Sequence, residues 1–172
     1  MGTKKKRGIE MSKLISKGIV RGAGLMNMES RINYFKVAPK ALDKIMELEI
    51  YTRKTLIDKQ LRELIKIRVS QINGCLYCLD MHTKSARKLK VTDEQIDQLE
   101  TWNEAKIYSL KEKVAFELAE DVTLIAEKGV SDELYQSVRQ HYDEKEYVDL
   151  IMIINQINMW NRIGISMGNT VK

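Results

Sequence analysis

The stretch Leu61-Arg62-Glu63-Leu64-Ile65-Lys66-Ile67-Arg68-Val69-Ser70-Gln71-Ile72-Asn73-Gly74-Cys75-Leu76-Tyr77-Cys78-Leu79-Asp80-Met81-His82 holds one helix, its stop signal and the start of a second helix. Leu61, Leu64, Ile65, Val69 and Ile72 recur at helical spacing and form one apolar face. Asp58, just upstream, is a residue type that caps a helix start. Asn73 and Gly74 both tolerate the left-handed conformation, so the first helix is predicted to end there. The next begins at or just after Cys75 and runs to about Lys90.

The same grammar extends in both directions. Pro39 suits a first helical turn, and Leu42, Ile45, Met46 and Ile50 carry that helix to about Arg53. Thr92 with Gln95 forms a capping box for a short helix over Asp93 to Thr101. Ser109 with Glu112 repeats the signature ahead of Leu110, Val114, Leu118, Val122 and Ile125. Ser131 caps a helix through about His141, and Asp143 with Glu146 opens the last, Glu144 to about Met167. That last segment is apolar almost all round, which predicts a central buried helix with Met152, Met159 and Met167 as filler. Asn155 and Asn158 within it then need buried partners, which a subunit interface would supply. No sustained alternation of period two appears, and Pro39 is the single proline. The expected fold is all-α, a compact bundle of about six to seven helices.

The chain has 172 residues, enough for one domain with a real core, and 44% hydrophobic against 31% charged residues is a globular balance. The net charge of +5 is unevenly placed: residues 1–27 carry +6 and the remainder −1. Residues 1–27 therefore read as a basic, disordered extension and 28–172 as the folded domain. The folded part has no nucleic-acid footprint, although a basic tail can also bind nucleic acid or an anionic surface. The apolar run Leu150 to Ile154 is broken by Asn155 and Gln156, far short of the ~20 residues of a membrane span. Two cysteines without a secretory leader point to a reducing, cytoplasmic compartment.

The chemistry gathers at Cys75, Cys78 and His82. Positions three, four and seven apart on a helix share a face. A thiolate at a helix N-terminus is stabilised by unpaired backbone N–H groups, and the thiolate is the reactive form. An imidazole on that face can take the thiol proton or hold the thiolate as an ion pair. A CxxC pair also serves as half of a zinc site or as two small buried side chains. Here further cysteines are lacking and the only other histidine is the distant His141, so the metal reading is short of ligands. Glu63 is a candidate base, its alternative role being a surface pair with Lys66.

The quoted stretch resembles the core of the alkylhydroperoxidase D branch of the carboxymuconolactone decarboxylase superfamily. The similarity extends through Tyr34-Phe35-Lys36, Pro39-Lys40-Ala41, Trp102-Asn103-Glu104-Ala105, Glu112-Lys113-Val114-Ala115 and Ile157-Asn158-Met159-Trp160-Asn161-Arg162-Ile163, covering about Met28 to Met167. The resemblance implies an all-helical homo-oligomer, hexamers and smaller rings being common. It implies peroxide reduction by a peroxiredoxin-like dithiol cycle, with Cys78 peroxidatic, Cys75 resolving, and Glu63 and His82 as proton relay. No bound cofactor is implied. The partners are a hydroperoxide and a dithiol donor of lipoyl-bearing, thioredoxin-like or small-thiol type, with no nucleic acid and no membrane. One departure stands out: Tyr77 occupies the position before the second cysteine where well-studied members carry histidine, and a phenol is a poor base at neutrality. Tyr77 either hydrogen-bonds peroxide or packs. Trp160 and Asn161 either line the pocket or serve core and assembly. The competing readings are a redox-sensing or scaffolding oligomer with little turnover, and a lactone decarboxylase.

Overall fold

The computed structural model describes residues 30–171, so the basic extension of residues 1–27 lies outside the described residues. Among them are eight α-helices and no strand: α1 (Tyr34–Val37), α2 (Pro39–Arg53), α3 (Lys59–Asn73), α4 (Leu76–Lys88), α5 (Asp93–Asp97), α6 (Leu110–Thr123), α7 (Asp132–Arg139) and α8 (Glu144–Ser166). A 3-10 turn, Gln98–Thr101, continues α5. Seven of these were expected from the sequence. The eighth, α1, is a single turn held by the Asn33 side chain accepting from the Lys36 amide, too short to show a period.

The start signals act as the sequence suggests. Asp58 accepts from the amides of Gln60 and Leu61. Thr92–Gln95, Ser109–Glu112 and Asp143–Glu146 are reciprocal capping boxes, and Ser131 caps α7. Each satisfies orphan donors of a first turn and contributes about 1 kcal/mol.

α3 is the hub, packed by α4, α6 and α8. Leu64, Ile65, Ile67 and Val69 of α3 meet Ala115, Phe116 and Leu118 of α6 and Leu150, Ile153, Ile154 and Ile157 of α8 in one fully buried cluster. The C-terminal helix α8 is central as expected, since it also touches α2, α4 and α7. It is not buried all round, because Val148 and Ile165 are exposed. Asn158 finds its partners within the chain: it donates to Thr123 Oγ1 at 3.0 Å and accepts from Asn73 at 2.9 Å. Asn155 lies on the exposed side of α8.

Two glycines end helices by the same device. Gly74 (φ +66) closes α3, with its own amide bonded to Gln71 and the Cys75 amide to Ser70. Gly168 (φ +68) follows α8, with its amide on Ile165 and the Asn169 amide on Gly164. Both are Schellman turns, which need a left-handed residue. The first delivers Cys75 and the second delivers Asn169.

Candidate active site

The Gly74 turn makes Cys75 the residue before α4, so Cys78 falls in that helix's first turn and His82 one turn later. All three are buried, at 3%, 2% and 7% exposure. The cysteines are joined as a disulfide, with Cα atoms 5.4 Å apart. The unpaired amides of a first helical turn favour negative charge, so they favour a Cys78 thiolate when the pair is reduced.

Glu63 reaches the same site from α3. Its Oε2 lies 2.8 Å from His82 Nδ1. The surface pair with Lys66 is not formed, because α3 is wrapped on all sides and both residues are buried. Lys66 turns instead to Glu49 of α2, at 3.2 Å. Arg53 Nε holds the same Glu49 oxygen at 2.9 Å, and Gln156 of α8 donates to the other. Burial acts to raise the Glu63 pKa, but the His82 hydrogen bond and the charges of His82, Lys66 and Arg62 outweigh it and leave the carboxyl lowered. Glu49 is lowered against its own burial by Lys66, Arg53 and His82. Burial, then Tyr34 and Asp80, push the Tyr77 phenol up, so Tyr77 is neutral and no base at neutral pH.

α8 closes the other side. Asn161 is fully buried, donating to Ser70 Oγ and accepting from Asn73 Nδ2, both at 3.0 Å. It therefore fixes the end of α3 just ahead of the cysteines. Trp160 is half-buried against the core cluster. Gly164 lies against the disulfide: a Cβ there would sit 3.5 Å from Cys75 Sγ and 3.6 Å from Cys78 Sγ. Tyr34, Glu49, Lys66, Gly164 and Asn169 went unremarked as site residues in the sequence. Gly164 alone left a local signal, a glycine inside an apolar helix. Among the described residues no group of three or more His, Cys, Asp or Glu is placed to hold a metal. A cavity of about 350 Å³ lined by Leu56, Ile57, Lys111 and Tyr142 includes none of the cysteine-site residues.

The domain is all-helical among the described residues, with a CxxC pair leading α4 and a Glu–His pair beside it. The chain belongs to the carboxymuconolactone decarboxylase family, whose sequence profile matches residues 38–121, and to its alkylhydroperoxidase D-like branch. It is 55% identical over 142 residues to the uncharacterized protein YdfG of Bacillus subtilis (strain 168), covering 83% of this chain and 97% of that one. A solved structure from Agrobacterium tumefaciens, of unknown function and proposed as the antioxidant defence protein AhpD, superposes with a TM-score of 0.79 at 34% identity, covering 84% of this chain and 100% of that one. An uncharacterized peroxidase-related protein from Ralstonia eutropha JMP134, an alkylhydroperoxidase AhpD core, matches with a TM-score of 0.75 over 94% of this chain and 84% of that one. Its 16% identity speaks for the fold alone. The alkylhydroperoxidase D-like fold is shared with both of these structures. No helix of the described residues is long and apolar enough to cross a membrane.

Proposed function

We propose that this protein is a thiol peroxidase that reduces hydroperoxides through a Cys75–Cys78 dithiol–disulfide cycle. The reading rests on one observation: a buried cysteine pair at the start of α4, with His82 on the next turn of that helix hydrogen-bonded at 2.8 Å to the buried Glu63 of α3. Cys78 is the attacking sulfur. Its thiolate forms an S–O bond with the terminal oxygen of ROOH, the O–O bond breaks, and the electron pair leaves with RO⁻. That oxygen takes a proton through His82, whose Nδ1 Glu63 holds, leaving Nε2 for the transfer. Cys78 is then a sulfenic acid. Cys75 gives up its proton and attacks the Cys78 sulfur, forming the disulfide and releasing the oxygen as water. An external dithiol, lipoyl-bearing, thioredoxin-like or small, returns two electrons by thiol–disulfide exchange. The cycle suits a cytoplasmic homo-oligomer, in which no metal or bound cofactor takes part.

Thiol titration with intact mass, before and after one equivalent of organic hydroperoxide, tests the reading. The expected result is loss of both thiols and of two hydrogens in the reduced wild type, with Cys75 left as a free thiol in Cys78→Ser. Two free thiols surviving in the wild type would overturn it and bring forward the lactone decarboxylase and scaffold readings.

A further inference from the structure

Three facts meet on the α8 side of the cysteine pair. Gly164 is buried, and its missing Cβ leaves a crevice the size of one methyl group bounded by Cys75 Sγ, Cys78 Sγ and Asn169 Nδ2, which lie 3.5, 3.6 and 3.6 Å from the Cβ position. Asn169 is turned back over that crevice by the left-handed Gly168, its backbone amide donating to Gly164 O at 2.9 Å. Its carboxamide is only half satisfied. Nδ2 donates one hydrogen to the Tyr34 hydroxyl at 3.0 Å, and Oδ1 is buried with no hydrogen-bond partner among the described residues.

A buried carbonyl oxygen without a partner is uncommon in a folded protein and calls for a cause. A carboxamide both donates and accepts. A hydroperoxide group, –O–OH, does the same, donating its terminal hydrogen and accepting at either oxygen. Tyr34, buried at 6% exposure, anchors the amide from behind. The Gly164 side is where Asn169 and both sulfurs come together, and reacting atoms must approach to ~3–3.5 Å.

Building on the peroxidase reading, we propose that Asn169, anchored by Tyr34 and set over the Gly164 crevice, is the residue that binds the hydroperoxide head group for attack by Cys78. The same crevice receives the oxygen that Cys78 acquires. The reaction stays as balanced above: S–O forms, O–O breaks, and the pair leaves on the alkyl oxygen, which His82 protonates. Asn169 orients the group and exchanges no proton.

The test uses the reduced full-length protein in single-turnover oxidation by hydrogen peroxide and by cumene hydroperoxide. Dithiodipyridine serves as a thiol reagent that carries no –OOH group. Asn169→Ala is expected to slow both peroxides by about tenfold, the weight of a lost hydrogen bond in a buried site, while the dithiodipyridine rate holds at the wild-type value. Gly164→Ala places a methyl against both sulfurs and is expected to slow cumene hydroperoxide more than hydrogen peroxide. Wild-type peroxide rates in Asn169→Ala would overturn the assignment with the peroxidase reading intact. Equal slowing with all three reagents would also overturn it, since that marks a general loss of thiol reactivity. Equal peroxide rates in Gly164→Ala would remove the crevice from the proposal. A wild type inert to both peroxides would sink the peroxidase reading itself.

Discussion

At the scale of single residues, the site depends on where Glu63 finds its partner. The sequence places Glu63 three positions before Lys66, and local spacing alone suggests an exposed pair. Burial reverses this. A buried carboxylate needs a close donor, and His82 at 2.8 Å supplies it across two helices. No local period encodes a contact between residues 19 apart, so only the family resemblance made this one legible. The spacing of Cys75, Cys78 and His82 was legible from the residues alone, because one helix carries it. The roles of Tyr34 and Asn169, joined across 135 positions, were not. Glu63→Gln keeps a hydrogen-bond acceptor for His82 Nδ1 but removes the charge. It is expected to slow peroxide-driven disulfide formation by roughly a hundredfold, the lower end of what a positioned acid–base group contributes. Stopped-flow single turnover alongside a thermal melt checks this: the rate falls and the fold survives. A rate within twofold of wild type would remove Glu63 from the relay.

At the scale of elements, the fold was readable because nearly every helix announces its start chemically. Asp58, Thr92, Ser109, Ser131 and Asp143 all cap through their side chains, and the capping boxes are reciprocal where the sequence placed them. α1 escaped because one turn has no periodicity to read. The end of α3 carries function as well as fold. Gly74 sits at φ +66, and the two bonds of its turn aim Cys75 at the start of α4. Nothing lies within 4 Å of a Cβ added there, so the penalty of a substitution is conformational rather than steric. Gly74→Ala is expected to destabilise the protein by about 1–2 kcal/mol, the cost of a left-handed alanine. It should also slow disulfide formation, because relaxing the turn shifts Cys75 relative to Cys78. Gly129 at φ +67, far along the chain between α6 and α7, is the control: Gly129→Ala pays the same conformational cost without touching the cysteines. Denaturant midpoints and oxidation rates of the two variants separate the effects. Equal oxidation rates would show that the Gly74 turn is scaffolding only.

At the scale of the whole molecule, the buried charges tie the site to global stability. Glu49 on α2, Glu63 and Lys66 on α3, and His82 on α4 lie between the helices that build the core, with Arg53 and Gln156 completing the shell around Glu49. Both carboxyls are held below the ordinary glutamate range in the folded chain and return to it on unfolding. The unfolded chain therefore binds more protons at acid pH. The stabilisation is fully present above the ordinary glutamate value and is lost as pH falls through it toward the folded values. Breaking one side of the cluster has a different outcome from replacing both. Glu49→Gln alone leaves Lys66, at 1% exposure, charged and without its carboxylate, and is expected to cost about 3–5 kcal/mol. Glu49→Gln with Lys66→Met removes both charges and is expected to return most of that stability, since a buried pair roughly offsets its own desolvation. The double variant should also lose less stability than wild type between neutral pH and mild acid, because one of the two depressed carboxyls is gone. Chemical denaturation across that range for the three proteins decides the point. A double variant as unstable as Glu49→Gln, or as acid-sensitive as wild type, would mean that the pair is needed for packing rather than for charge balance around Glu63 and His82.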